Sequence, residues 1–378
     1  MTVLGKFALA TLAASSILLV SGPPAGAAVV TLAPSRDNSL FADGADRSCG
    51  IGPLFCGQTG GFGPRRVVIG FDLSGGIPPG STITSVEVGI TVEGTGPAAV
   101  PTDVYSLHRL NADWGEKASE CGNGVGALAE AGDATWTHAK YNTNPWSQAG
   151  GDFQALASAS VAMPTLGPVT FASQPGLVAD VQSWLDLPCG NFGWILIGNE
   201  AVERNARELF SRESGFPPSL RIEFTPPPSP PPPPAVPDGV TGTPVLLSKL
   251  SADGADLGVA WDGALCSGSF GHHIVYGTRA DFPASPLGPY GLAGSACAIG
   301  ACSPYVWNGS PDPAILDPAK RLIWLLVLAN DSATTEGSWG VNSLSQERDG
   351  PGLDGCSSQC GILDKSVTNT CGIGFQPR

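Results

Sequence analysis

The chain has 378 residues, of which 14% are charged, with 51 glycines, 35 prolines and a formal net charge of −14. So much glycine and proline leaves few windows for a long helix and predicts β-structure with many turns, in two or three domains each able to bury a core. The acidic balance argues against nucleic acid or an anionic membrane surface as a partner and leaves neutral ligands open.

At the N-terminus, Lys6 precedes the apolar run Phe7–Val20, and the small residues Ala25-Gly26-Ala27-Ala28 follow. This pattern predicts a signal peptide over residues 1–28, cut near Ala27-Ala28, and hence a secreted protein with no membrane span in the mature chain. Ten cysteines fit an oxidising destination. Cys49, Cys56, Cys121 and Cys189 precede a proline run and the rest follow it, so each half is expected to close its own disulfides. Cys49–Cys56 is the plausible short loop and Cys121–Cys189 the long-range pair. In the second half Cys266 groups with Cys297 or Cys302, and Cys371 with Cys356 or Cys360. No Cys-x-x-Cys element has a partner that would make a zinc site.

Taken in order, Val29–Leu32 starts a strand, Asp43 to Gly63 is a glycine-rich loop, and Arg66–Leu73 is the next strand. Ser81–Val92 is the clearest strand, with Val86, Val88, Ile90 and Val92 on one face and Glu87, Gly89 and Thr91 on the other. Asp103–Leu110 follows in the same style. From Ala112 to Phe153 the alternation is lost, and Trp114, Trp136, Tyr141 and Trp146 gather with His138, Asn142 and Asn144. A long irregular segment in a compact module is either functional or a cover for one end of the sandwich. Pro168–Ala172 resumes a strand, and Leu177, Val181 and Trp184 recur at helical spacing, predicting one short capping helix. The apolar runs Phe192–Ile197 and Leu220–Phe224 flank the charged segment Arg204–Glu213 and close a first domain, residues 29–225.

Eight of the nine residues Pro226–Pro234 are proline, within a linker over residues 226–236. It is expected to be a stiff polyproline II spacer of about 30 Å. The second half, residues 237–378, carries apolar runs at Val245–Leu250, Leu257–Trp261, His273–Gly277, Tyr305–Trp307 and Leu322–Ala329, then a cysteine-rich tail beyond Asp349. The expected fold is therefore all-β: two β-sandwich domains joined by a polyproline linker.

Two resemblances accompany these patterns. Gly193-Trp194-Ile195-Leu196, then Phe210-Ser211-Arg212-Glu213 and Pro218-Ser219-Leu220-Arg221-Ile222, resemble the C-terminal signature of the DNRLRE-type domains. These are secreted prokaryotic β-sandwich modules grouped with the carbohydrate-binding modules. Asp37–Phe41, Val67–Phe71, Ala112–Glu116, Gly132–Trp136 and Leu177–Leu185 fit the same resemblance, which covers roughly residues 30 to 224. The eponymous hexapeptide is absent, and Arg204-Asn205-Ala206-Arg207-Glu208 is its nearest match. Ala260-Trp261, Val275-Tyr276-Gly277 and Trp324–Asn330 with Gly337-Ser338 resemble a fibronectin type III domain. The first resemblance implies non-catalytic binding, to polysaccharide at the cell surface or in a matrix. A structural or adhesive protein without a sugar ligand is the alternative, and a glycan-cleaving enzyme is a third.

No His-Glu-x-x-His helix, Gly-x-Ser-x-Gly elbow or nucleotide-binding glycine motif occurs, and Asp113 with Glu116 is the one carboxylate pair to weigh for glycoside cleavage. Sugar binding needs only exposed aromatic faces beside polar side chains. The candidates are Trp136, His138, Tyr141, Asn142 and Trp146, with Arg212 from the charged segment. Each tryptophan has core packing as its competing role. The segment 204–213 reads either as surface ion pairs or as side chains converging on a ligand or ion. No cofactor is implied, except that a structural calcium ion would draw on Asp37, Asp43 and Asp46, which form no EF-hand.

Overall fold

The computed structural model describes residues 26–74, 76–228, 232–236, 243–252, 254–262, 271–285, 288–311, 322–342, 344 and 346–368. Most of the expected signal peptide lies outside the described residues, as do Cys266 and Cys371. The fold is all-β and sandwich-like, with one α-helix among the described residues. None of the described helices is long and apolar enough to cross a membrane.

The first unit contains β1 (Ala28–Leu32), β2 (Arg36–Phe41), β3 (Leu54–Gln58), β4 (Pro64–Gly70), β5 (Thr82–Thr95) and β6 (Val104–Arg109). It continues with β7 (Ala159–Ala162), β8 (Gly167–Phe171), α1 (Pro175–Asp186), β9 (Trp194–Ile197), β10 (Arg207–Leu209) and β11 (Ser219–Thr225). One antiparallel sheet runs β8-β5-β11-β1, with β10 taking over beside β5 where β11 ends. The other runs β2-β4-β9-β6-β7. Strand β3 serves both, pairing β10 through Leu54–Cys56 and β4 through Gly57-Gln58.

The alternation of β5 does what its sequence dictates: Val86, Val88, Ile90 and Val92 are buried between the sheets. A bulge opposite Glu223/Phe224 inserts one residue and returns Ile83 to the same core face. Leu177, Val181, Trp184 and Leu185 seal α1 onto this core, and the Trp184 and Trp194 rings lie 4.5 Å apart. Ahead of β9, Gly193 has φ +77° and a Cβ there would lie 2.0 Å from the Ile69 carbonyl oxygen, so only glycine fits.

The second sheet is buried on both faces. Val67 and Ile69 point into the central core, while Val68, Leu40 and Ile195 face Trp114, Ala134, Ala139 and Trp146 of the irregular segment. That segment is the sheet's outer cover, which is why its own alternation vanishes.

The second unit contains β12 (Leu246–Lys249), β13 (Leu257–Ala260), β14 (Gly271–Thr278), β15 (Gly294–Ala296), β16 (Tyr305–Trp307) and β17 (Ile323–Asn330). A three-stranded sheet, β12-β13-β16, packs against one that begins β15-β14-β17 and continues through Thr335–Glu336 to Asp364–Lys365. Val259, Trp261, Ile274, Trp307 and Val327 fill the space between them.

The disulfides correct the expected pairing. Cys49 pairs with Cys121, Cys297 with Cys360, and Cys189 with Cys302, which joins the two units covalently across 113 residues. Cys49–Cys56, Cys121–Cys189, both Cys266 alternatives and both Cys371 alternatives are thereby ruled out. Cys56 and Cys356 are buried and free, and burial pushes the Cys56 thiol far up. Even cysteine counts on each side made self-contained domains possible, but spatial adjacency chose otherwise. The described part of the linker departs from a solvated spacer too. Pro233, Pro234 and Ala235 are buried against the second unit, where a Cβ on Gly337 would meet the Pro234 carbonyl oxygen at 2.2 Å.

Candidate functional site

Trp146 is 6% exposed and donates from Nε1 to the Thr135 carbonyl oxygen at 2.8 Å. It is core, which corrects its reading as an exposed platform. Trp114 is buried likewise, with Nε1 donating to the Phe192 carbonyl oxygen at 2.8 Å and the Arg36 guanidinium 4.3 Å from its ring centre. Both indoles anchor the cover segment by pairing their one polar atom with a main-chain oxygen.

The remaining candidates stay nearer the surface. His138 and Tyr141 are half-buried and meet edge to face at 5.6 Å, on the small hairpin of His138–Lys140 and Asn144–Pro145. Asn142 is exposed at its tip with φ 66°, a conformation asparagine tolerates better than most residues.

Trp136, half-buried, packs against Arg66, whose guanidinium carbon lies 4.8 Å from the indole and 5.5 Å from the Phe153 ring. Arg66 projects from β4 on the outer face and is held by a two-pronged ion pair with Glu200, at 2.8 and 2.9 Å, and by the Gly150 carbonyl oxygen. Beside it opens a groove of about 270 Å³ walled by Arg66, Asn111, Gln148, Asp152 and Phe153. The loop that forms its rim is tied by the Asp152 carboxylate, which accepts from the Ser147 amide and hydroxyl and from the Gln148 amide. Amides, a guanidinium and an aromatic ring thus share a small open site that can bind hydroxyl groups over an apolar face. Trp136 supports this groove from behind Arg66, whereas His138, Tyr141 and Asn142 do not line it. Arg66 and the Ser147–Asp152 loop were missed. Two adjacent arginines, Arg65 and Arg66, at the head of an otherwise apolar strand were the available signal.

The charged segment divides. Arg207 is 0% exposed, and its guanidinium donates to the carbonyl oxygens of Val100, Met163, Pro164 and Asn205 and pairs with Asp103 at 3.2 Å. Neither surface pairing nor ligand binding describes it; it locks loops onto the edge of the sandwich. Arg212 is partly exposed, ion-paired with Glu116 at 2.6 Å and Glu213 at 2.9 Å, while its main-chain N–H donates to Asp37.

Asp37 is 1% exposed, and burial, with Glu213 and Glu116 nearby, pushes its carboxyl up to about 7. Burial also raises Glu116, against the pull of Arg212. The carboxylates of Asp37, Glu116 and Glu213 lie within 4.8 Å of one another, so the acidic cluster is this one and does not include Asp43 or Asp46. Asp43 pairs with Arg65 at 2.7 Å, and Asp46 is exposed. Calcium asks for six to eight oxygens. Two of these three carboxylates are already committed to the Arg212 guanidinium, which supplies the cluster's positive charge, so the residues fit calcium poorly.

Asp113 pairs with Arg36 at 2.8 Å and Lys140 at 2.6 Å, and Glu116 with Arg212, so each carboxylate is held by cations instead of facing the other across a cleft. The second unit contains a fully buried polar centre. Glu336 accepts from His273 Nε2, the Trp339 indole, and the Ser357 amide and hydroxyl, while Asn330 Nδ2 faces His273 Nδ1 at 2.9 Å. Serine and histidine both bind the glutamate and share no hydrogen bond, so this is a packing device and no nucleophile relay.

Compared with known proteins, the chain matches no family model and no curated sequence.

Proposed function

We propose that this chain is a secreted, non-catalytic binding protein whose first sandwich recognises polysaccharide at the cell surface or in an extracellular matrix. The observation that carries the reading is the groove beside Arg66, where Phe153 offers a ring and Asn111 and Gln148 offer exposed amides. Sugars present flat C–H faces and paired hydroxyls, and this combination of groups suits both. We read the first unit as a DNRLRE-type module and the second as fibronectin type III-like. Supporting the latter is the pairing of a three-stranded sheet with one whose order is β15-β14-β17 followed by Thr335–Glu336. The three disulfides among the described residues support the exported destination.

The test is a glycan array probed with the full chain, alongside an assay for reducing ends released from the same polysaccharides. Saturable binding without release is the expected result. Silence across the array would favour a structural or adhesive role, and release of reducing ends would make the protein an enzyme.

A further inference from the structure

The two units enclose a cleft of about 760 Å³, inside the range of small-molecule sites. The first unit supplies an apolar wall containing Phe71, Ile77, Pro78 and Pro79. Facing it are the Gly300-Ala301-Cys302 turn and Asp331-Ser332 of the second unit. The Cys189–Cys302 disulfide ties the walls together, with Cys302 itself lining the cleft. Neither sandwich has this site alone.

Two wall residues carry buried polar atoms without partners, the Trp184 indole N–H and Asn191 Oδ1. Trp184 is 0% exposed. A buried donor or acceptor left unpaired costs about 1–3 kcal/mol, and placing one of each kind at the same cavity asks for a reason.

The charged side chains of the wall are engaged elsewhere. Arg36 is bound to Asp113 and the Trp114 carbonyl oxygen, Asp72 accepts from the Ser74 amide, and Asp331 accepts from the amides of Ala333 and Thr335. An anionic ligand therefore meets no free cation, while Asp72 and Asp331, bound only by main-chain amides, keep their negative charge in the wall. A hydroxyl can accept from Trp184 and donate to Asn191, and a pyranose ring can lay its C–H face on Pro78 and Pro79, which remain accessible.

We propose that the cleft between the units is a second binding site, for a short neutral sugar, held open by the Cys189–Cys302 tether. This rests on the reading that the protein binds carbohydrate, but places a small-sugar site apart from the polysaccharide groove. Trp184 Nε1 and Asn191 Oδ1 are screened from water as the cleft stands, so the ligand seats by parting the walls slightly and then satisfies both.

The experiment titrates the full, oxidised chain with cellobiose, maltotriose, xylotriose and N,N′-diacetylchitobiose, read by calorimetry and tryptophan fluorescence. Ala301→Trp fills the cleft from one wall and Ser74→Trp, at an exposed turn, from the other; melting curves confirm that both fold. At least one probe is expected to saturate the wild type, with affinity reduced about tenfold or more in each filled variant. The Cys189→Ser/Cys302→Ser double variant is expected to weaken it several-fold. No saturation by any probe, or binding unchanged in both filled variants, would overturn the proposal. Loss of probe binding in Asn111→Ala, with the filled variants normal, would move the sugar to the groove: the carbohydrate reading would stand and the cleft would not. Array binding that survives cleft filling but is lost in Asn111→Ala confirms that the two sites are separate.

Discussion

Trp146 and Trp136 are ten residues apart in one cover segment, yet their replacement by alanine should produce opposite outcomes. Trp146 sits in the second core with its N–H spent on Thr135. Truncating a buried tryptophan costs about 3–5 kcal/mol, and the orphaned carbonyl about 1 kcal/mol more. For a unit of this size each kcal/mol lowers Tm by roughly 2–4 °C, so Trp146→Ala should melt about 10 °C or more below wild type. Affinity for polysaccharide, measured well below that temperature, should be unchanged. Trp136→Ala loses a half-exposed cation–π contact worth about 0.5–1 kcal/mol and a little burial. It should melt within a few degrees of wild type but bind weakly, because Arg66 loses the surface that orients it. Differential scanning calorimetry with affinity electrophoresis separates the two effects. A Trp146→Ala protein that keeps its Tm while losing binding would refute the assignment of Trp146 to the core.

Arg207→Met leaves Asp103 short of its cation and takes a donor from four main-chain carbonyls, of which Val100 and Asn205 keep another, so chemical denaturation should show a loss of about 3–5 kcal/mol; lysine, lacking the planar fork, should not rescue it. Glu336→Gln puts an N–H₂ where the carboxylate receives four donors, and should cost the second unit about 2–4 kcal/mol in denaturant titrations of near-UV circular dichroism. Asp37 ionises at about 7 when folded and near 3.8 when unfolded, so the native state holds its proton longer and stability falls as pH rises from about 4 to 7. His272, pushed down to about 4 by burial, works the other way between about 4 and 6.5 and masks this fall in the wild type. Asp37→Asn removes the Asp37 contribution. It should gain up to about 2–4 kcal/mol over wild type at pH 8 and nothing at pH 4, as read from thermal melts at both values; an equal effect at both would disprove the buried-carboxyl account.

The sandwich was legible because alternation is a direct record of one-sided burial. Val86, Val88, Ile90 and Val92 declared their face, and Leu177, Val181 and Trp184 declared a helix on the same core. Strand positions in the second half followed from apolar runs at suitable spacing. What alternation cannot report is a second layer. Val68 lies on the face of its strand opposite Val67 and Ile69, yet it is buried too, against Trp146 and Trp114, because the irregular segment folds back over it. Burial of those tryptophans therefore depended on tertiary placement. Arg207 and Glu336 look like surface charges in sequence, since nothing local announces the carbonyls and donors that gather around them. Disulfide partners were equally hidden: Cys189 meets Cys302 only because the two units pack side by side. The groove depends on one strand arginine meeting a loop tied by Asp152, a juxtaposition created by the cover segment.

Polysaccharide binding is proposed for the Arg66 groove. Its most direct test is the affinity of the full chain and of Asn111→Ala and Gln148→Ala for the best array ligand. Both side chains are exposed on the groove wall, and their removal should leave Tm within about a degree of wild type. Each variant should lose affinity about tenfold or more while remaining fully folded. Wild-type affinity in both variants would contradict it.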